Sequence, residues 1–163
     1  MQTVCIQTKL LIQSKTMNKP PNYKLHSLLH SAHLMEDNLR KTLEKYEIRP
    51  QQARILEALN IMNRASQVEL TREFRITAGS MSSMVTRLEA LGFISRYRKP
   101  GERRSDVLEL TDFGRSKLTD IHATWAEMDK EIEDSIGVEK AEQLFALTEE
   151  LKRALGAHIP GDF

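Results

Sequence analysis

Within RYRKPGERR, residues 96–104, five side chains are cationic (Arg96, Arg98, Lys99, Arg103 and Arg104) and Glu102 alone is anionic. They flank a Pro-Gly pair, the signature of a tight turn. Like charges held that close repel, so a partner outside the chain is the expected compensation. B-DNA supplies one, with about one negative charge per 1.7 Å of its axis. A projecting basic turn can lie along that backbone, and one Arg can enter a narrow minor groove, where the potential is most negative. A turn built for protein contacts would show apolar anchors instead.

A second set of polar side chains lies upstream, in TAGSMSSMVTRLEAL, residues 77–91. Thr77, Gly79, Ser80, Ser82, Ser83, Thr86 and Arg87 are small, hydroxyl-bearing or, in one case, cationic. Small residues let backbone approach closely, hydroxyls bond phosphates or base edges, and a helix N-terminus favours an anion. Met81, Met84, Val85 and Leu88 read as the buried side of the same helix.

The spacing of apolar residues predicts the elements that position these groups. Leu25, Leu28, Leu29, Ala32, Met35, Leu39, Leu43 and Tyr46 recur at three- and four-residue steps, one long amphipathic stripe. Pro50 suits the first turn of a second helix carrying Ile55, Leu56, Leu59 and Met62. Ser66 and Glu69 have capping-box spacing and open a third helix. Thr77 caps a fourth, which Gly92 ends with Phe93 packing back on it. FISRYR and DVLELT read as two strands joined by the basic turn. Thr111 caps a fifth helix whose Leu118, Ile121, Trp125, Met128 and Ile132 follow a seam spacing. Gly137 breaks it, and a sixth helix carries Ala141, Leu144, Phe145, Leu147, Leu151 and Leu155.

The fold expected is therefore mainly α. A winged helix-turn-helix of three helices plus a two-stranded β wing occupies 49–112. An N-terminal dimerisation helix (22–48) and C-terminal dimerisation helices (113–163) flank it, after a disordered tail (1–21) in which Met17 is an alternative start. Two apolar stripes on so short a chain call for a partner copy, and a two-fold dimer would set its recognition helices about 34 Å apart.

Composition narrows the function class. The formal charge of +1 hides a segregation. Residues 64–104 hold nine Lys/Arg against four Asp/Glu, and residues 105–163 hold six against fourteen. A basic middle and an acidic end argue for two surfaces with different tasks. No apolar run approaches the roughly 18 residues of a membrane span. The N-terminus lacks a signal-peptide core, and the single Cys, Cys5, fits a reducing compartment, so a cytoplasmic protein is expected. No Gly-rich phosphate loop, H-E-x-x-H or G-x-S-x-G is present, so no enzyme and no cofactor are expected.

ITAGSMSSMVTRLEALGFISRYRKPGERRSDVLELTDFG, residues 76–114, resembles the winged-helix core of the MarR family of bacterial transcriptional regulators. The likeness in helix order covers roughly residues 22–156. TRLEALGFI and ERRSDVLELTDFG carry it most strongly. The resemblance implies that Arg104 is the minor-groove arginine at the wing tip, oriented by the acidic residue before it. Glu102 stands there where the family usually has Asp. It also implies a homodimer on a pseudo-palindromic operator, and repression relieved by a small, often phenolic or otherwise aromatic, inducer.

His26, His30 and His33 cluster on the first helix, and His26 and His30 are spaced as zinc ligands can be. No Cys or second His pair completes a set, so no metal is assigned, and a zinc-responsive regulator is the alternative reading. A non-specific architectural DNA-binding protein is another. His30, His33 and His122 are instead the candidate contacts for a carboxylate or phenol ligand.

Overall fold

The computed structural model describes residues 23–98 and 106–156. Among these residues the order is α1 (Lys24–Glu44), α2 (Pro50–Met62), β1 (Ala65–Ser66), α3 (Gln67–Glu73), α4 (Ala78–Ala90), β2 (Ile94–Arg98), β3 (Asp106–Leu110), α5 (Asp112–Ile136) and α6 (Val138–Ala154). The chain up to Met35 is a unit of its own, and the body runs from Glu36 onward. In the first unit, α1 exposes Leu25, Leu28, Leu29 and Leu34. Within the body, Leu43 on the same helix is fully buried.

The caps expected from the sequence form as hydrogen bonds. The Ser66 hydroxyl accepts from the Glu69 amide at 3.2 Å, and the Ser66 amide donates to the Glu69 carboxylate at 2.7 Å. Thr77 Oγ1 accepts from the Ser80 amide at 3.1 Å. The sheet is larger than a two-stranded wing: β1 joins it, giving the antiparallel order β1-β3-β2. Ala65 faces Leu108 and Ser66 faces Val107, so Ser66 ends a strand and caps a helix at once.

One core serves α2, the helix-turn-helix and the sheet. Ile55, Leu56 and Leu59 of α2, Leu70 of α3, Met81, Val85 and Leu88 of α4, and Leu108 of β3 are all fully buried within it. Truncating any of them removes contact area and leaves a cavity. Leu118 and Ile121 of α5 enter the same core. The first half of the expected partner seam is thus spent inside the chain. By contrast, α6 buries no residue and leaves Leu144, Phe145, Leu147, Leu151 and Leu155 exposed.

The base of the wing is closed by one cluster. Helix α4 ends in a Schellman turn: Gly92 takes φ 74°, and the Phe93 amide bonds the Leu88 carbonyl at 2.9 Å. The Thr111 hydroxyl accepts from the Gly114 amide at 2.9 Å and donates to the Gly92 carbonyl at 2.6 Å. The Thr111 amide bonds the Phe93 carbonyl at 3.1 Å. Gly114 sits so close that an added Cβ would lie 1.9 Å from the Phe93 oxygen. Gly114→Ala must therefore force backbone apart, and a loss of about 2–3 kcal/mol is expected by urea denaturation. Gly79→Ala, where a Cβ meets nothing within 4 Å, should gain about 0.5 kcal/mol in the same assay.

Candidate nucleic-acid interface

Helix α4 turns Met81, Val85 and Leu88 inward at four- and three-residue steps. The opposite strip is then Gly79, Ser83, Thr86 and Ala90, all exposed, with Ser80 and Arg87 exposed along its edge. Ser82 is half-buried on the flank and stands apart from that strip. The Thr77 and Ser80 hydroxyls are bonded to each other at 2.8 Å as part of the cap. Of the hydroxyls expected to read or bind DNA, Ser83 and Thr86 are therefore the ones on the outward face.

Helices α3 and α4 meet through a turn in which Arg75 adopts φ 49°, a left-handed conformation unusual for a side chain of that size. Its guanidinium donates to the Gly156 carbonyl at the end of α6. Cations suit that position, where the last carbonyls of a helix lack partners.

In the wing, Arg98 lies opposite Asp106 and Arg96 opposite Leu108. Lys99, Glu102, Arg103 and Arg104 lie outside the described residues. Arg96 has a different setting from the one expected. Its Nε lies 3.3 Å from Glu89 Oε2 and its Nη1 3.5 Å from Asp106 Oδ2, with the side chain 26% exposed. It ties the end of α4 to both wing strands. Sequence reasoning had no local signal for this: Asp106 becomes a diagonal neighbour of Arg96 only once the hairpin register is set.

Helix α5 brings His122 Nε2 to 2.6 Å from Glu57 Oε2, with the ring 5.7 Å from that of Trp125. His30 and His33 are exposed on α1, in the separate first unit. Among the described residues, no group of three or more His, Cys, Asp or Glu side chains is placed to hold a metal ion. No described helix is long and apolar enough to cross a membrane.

Because Arg96 serves the fold, Arg96→Ala should cost about 1 kcal/mol of stability. A double-mutant cycle with Asp106→Ala, read by urea denaturation, should return a coupling of about 0.5 kcal/mol. Additive losses would show that the pair contributes nothing.

A sequence model of the MarR family matches residues 46–105. The HTH-type transcriptional regulator BilQ of Clostridium symbiosum (strain WAL-14163) is 32% identical over 94 residues, which are 58% of this chain and 65% of BilQ. The match therefore spans less than two thirds of that relative. The HTH-type transcriptional regulator MhqR of Bacillus subtilis (strain 168) is 28% identical over 131 residues, 80% of this chain and 88% of MhqR. Among solved structures, a mutant MarR from E. coli complexed with operator DNA superposes with a TM-score of 0.69 at 20% identity, covering 78% of this chain and 92% of that one.

Proposed function

We propose that the chain is a member of the MarR family of bacterial transcriptional regulators, that it binds double-stranded DNA as a homodimer and that it regulates transcription, without catalysis. The observation that carries this is the outward strip of α4, Gly79, Ser83 and Thr86, bare of bulk and held beside the wing strands. That helix enters the major groove, where hydroxyls reach base edges and the open backbone at Gly79 allows close approach. The basic turn that β2 and β3 frame lies along the phosphates, with Arg104 in the minor groove. The relatives BilQ and MhqR bear the names of transcriptional regulators, and the solved MarR complex holds operator DNA.

The dimer reading rests on two uncovered apolar faces. One is Leu25, Leu28 and Leu29 of α1, and the other is Leu144, Phe145, Leu147 and Leu151 of α6. Burying each such side chain stabilises by about 1.5–3 kcal/mol. Between α5 and α6, a groove of about 460 Å³ is lined by Ile132, Leu144 and Phe145 with Asp129, Glu133 and Glu142 at its rim. Residues 22–48 and 113–163 supply the dimer layer on this reading, and 49–112 the DNA-binding lobe. The regulator is a repressor that an aromatic inducer releases, with His122 of α5 as the candidate inducer contact within the body. A ligand acts there only through unequal affinity for the DNA-competent and incompetent states.

Fluorescence anisotropy tests the central reading, with the intergenic DNA beside the protein's own gene against a scrambled duplex of equal length. The native fragment should bind at least ~10³-fold tighter. Equal, salt-sensitive binding to both would favour the architectural reading, and no binding at low salt would end the proposal. Thr86→Ala should erode the preference for the native fragment by about tenfold. Arg104→Ala should weaken both duplexes alike and lower the salt slope by about one unit. Sedimentation equilibrium should find a dimer that Phe145→Glu converts to monomer.

A further inference from the structure

A groove of about 290 Å³ joins the outward face of α4 to the start of α2. Arg49, Gln51, Ser83 and Arg87 line it, with Gln52 and Met84 at its floor. Two guanidinium groups thus border one small space. Neither forms an ion pair among the described residues, although Asp37, Glu44 and Glu47 line the larger groove that both arginines also border. Arg96 is the contrast, since two carboxylates of its own chain neutralise it. Two like charges without ion-pair partners among the described residues, beside a hydroxyl and an amide, match the needs of a tetrahedral oxyanion: charge-assisted donors from several directions.

We propose that Arg49 and Gln51, with Ser83 and Arg87, seat a backbone phosphate of the bound duplex. The protein's footprint then extends past the recognition helix to the start of α2. The assignment rests on the DNA-binding reading above and adds to it two residues of the same lobe that lie outside α3, α4 and the basic stretch. Ser83 of the outward strip and Arg87 at its edge both line this groove, so on this proposal a strand beside α4 reaches Arg49 as well. Such a contact fixes register and carries no sequence information of its own. Gln52 keeps the site in place: it is buried, and its side-chain oxygen accepts from the Arg49 amide at 3.0 Å, an interaction that an Arg49 substitution leaves intact.

The test is the salt dependence of duplex binding by the full chain, measured by anisotropy from about 50 to 200 mM salt. Arg49→Ala should weaken the native and scrambled duplexes alike, by about tenfold, and lower the slope by about 0.9. Arg49→Lys should restore most of the slope. Gln51→Ala should lose affinity with the slope unchanged. Arg54→Ala is the control: Arg54 is exposed on the same helix but lies 5.5 Å over the Phe74 ring and does not line the groove, so its slope should match wild type. Thermal unfolding of each variant separates lost contact from lost fold.

A wild-type slope for Arg49→Ala, with DNA binding otherwise intact, overturns the assignment and leaves the broader function standing. Displacement of duplex from wild type, but not from Arg49→Ala, by inorganic phosphate at fixed ionic strength is the expected companion result, because free phosphate then competes with the duplex for the same seat. Failure of wild type to bind any duplex removes both readings.

Discussion

The approach of helix α5 to the Phe93 carbonyl is the contact on which the remaining geometry depends. Position 114 has room for hydrogen and nothing larger, and Thr111 completes the join by accepting from one backbone group and donating to another. Three elements meet there: the end of α4, the base of the β2–β3 hairpin and the start of α5. Fixing them to each other sets the angle between α4 and the β2–β3 hairpin. The same join aims α5 so that Leu118 and Ile121 reach the core. A backbone clash cannot be relieved by a side-chain rotation, which makes this constraint stiffer than the surrounding apolar packing.

Much of the fold was legible because its punctuation is local. Ser66 with Glu69, Thr77 with Ser80, and Gly92 before Phe93 each satisfy backbone groups within a few residues, so spacing alone announces them. The buried stripe of α4 followed from periodicity in the same way. What escaped has long-range causes. β1 is two residues long and has no period to detect; it exists because β3 offers it a free edge. The bond from Thr111 to Gly92 spans 19 positions, and the closeness of Gly114 to Phe93 is invisible until both are placed. The seam spacing of α5 was read correctly as apolar, but periodicity cannot say whether a stripe meets its own chain or another.

The candidate site divides along the same line. Ser83 and Thr86 could be assigned to the outward face from helical phase, whereas the half-buried flank position of Ser82 and the cap bond that engages Ser80 needed coordinates. Arg96 was grouped with its basic neighbours on sequence proximity, yet Glu89 and Asp106 surround it. Arg49 stands in a stretch with no cluster of like charge, so nothing local marks it. In each case the charge was plain in the sequence, and what could not be read was which carboxylates share its surroundings. Electrostatics is a property of neighbours in space, so a charge count along the chain overstates some cations and passes over others.

The strip that faces outward from α4 has one further consequence. Its central residues, Gly79, Ser83, Thr86 and Ala90, carry no charge, while the cations stand at its edge, at the start of α2 and in the sequence between β2 and β3. On the proposed reading, counterion release belongs to the cations and base discrimination to the uncharged residues of the strip, with Ser83 at the boundary between the two. Ionic strength then scales the affinity for every duplex together and leaves the ratio between operator and competitor nearly constant. A cell whose internal salt rises would free this regulator from all its sites in proportion, and would not change which site it prefers.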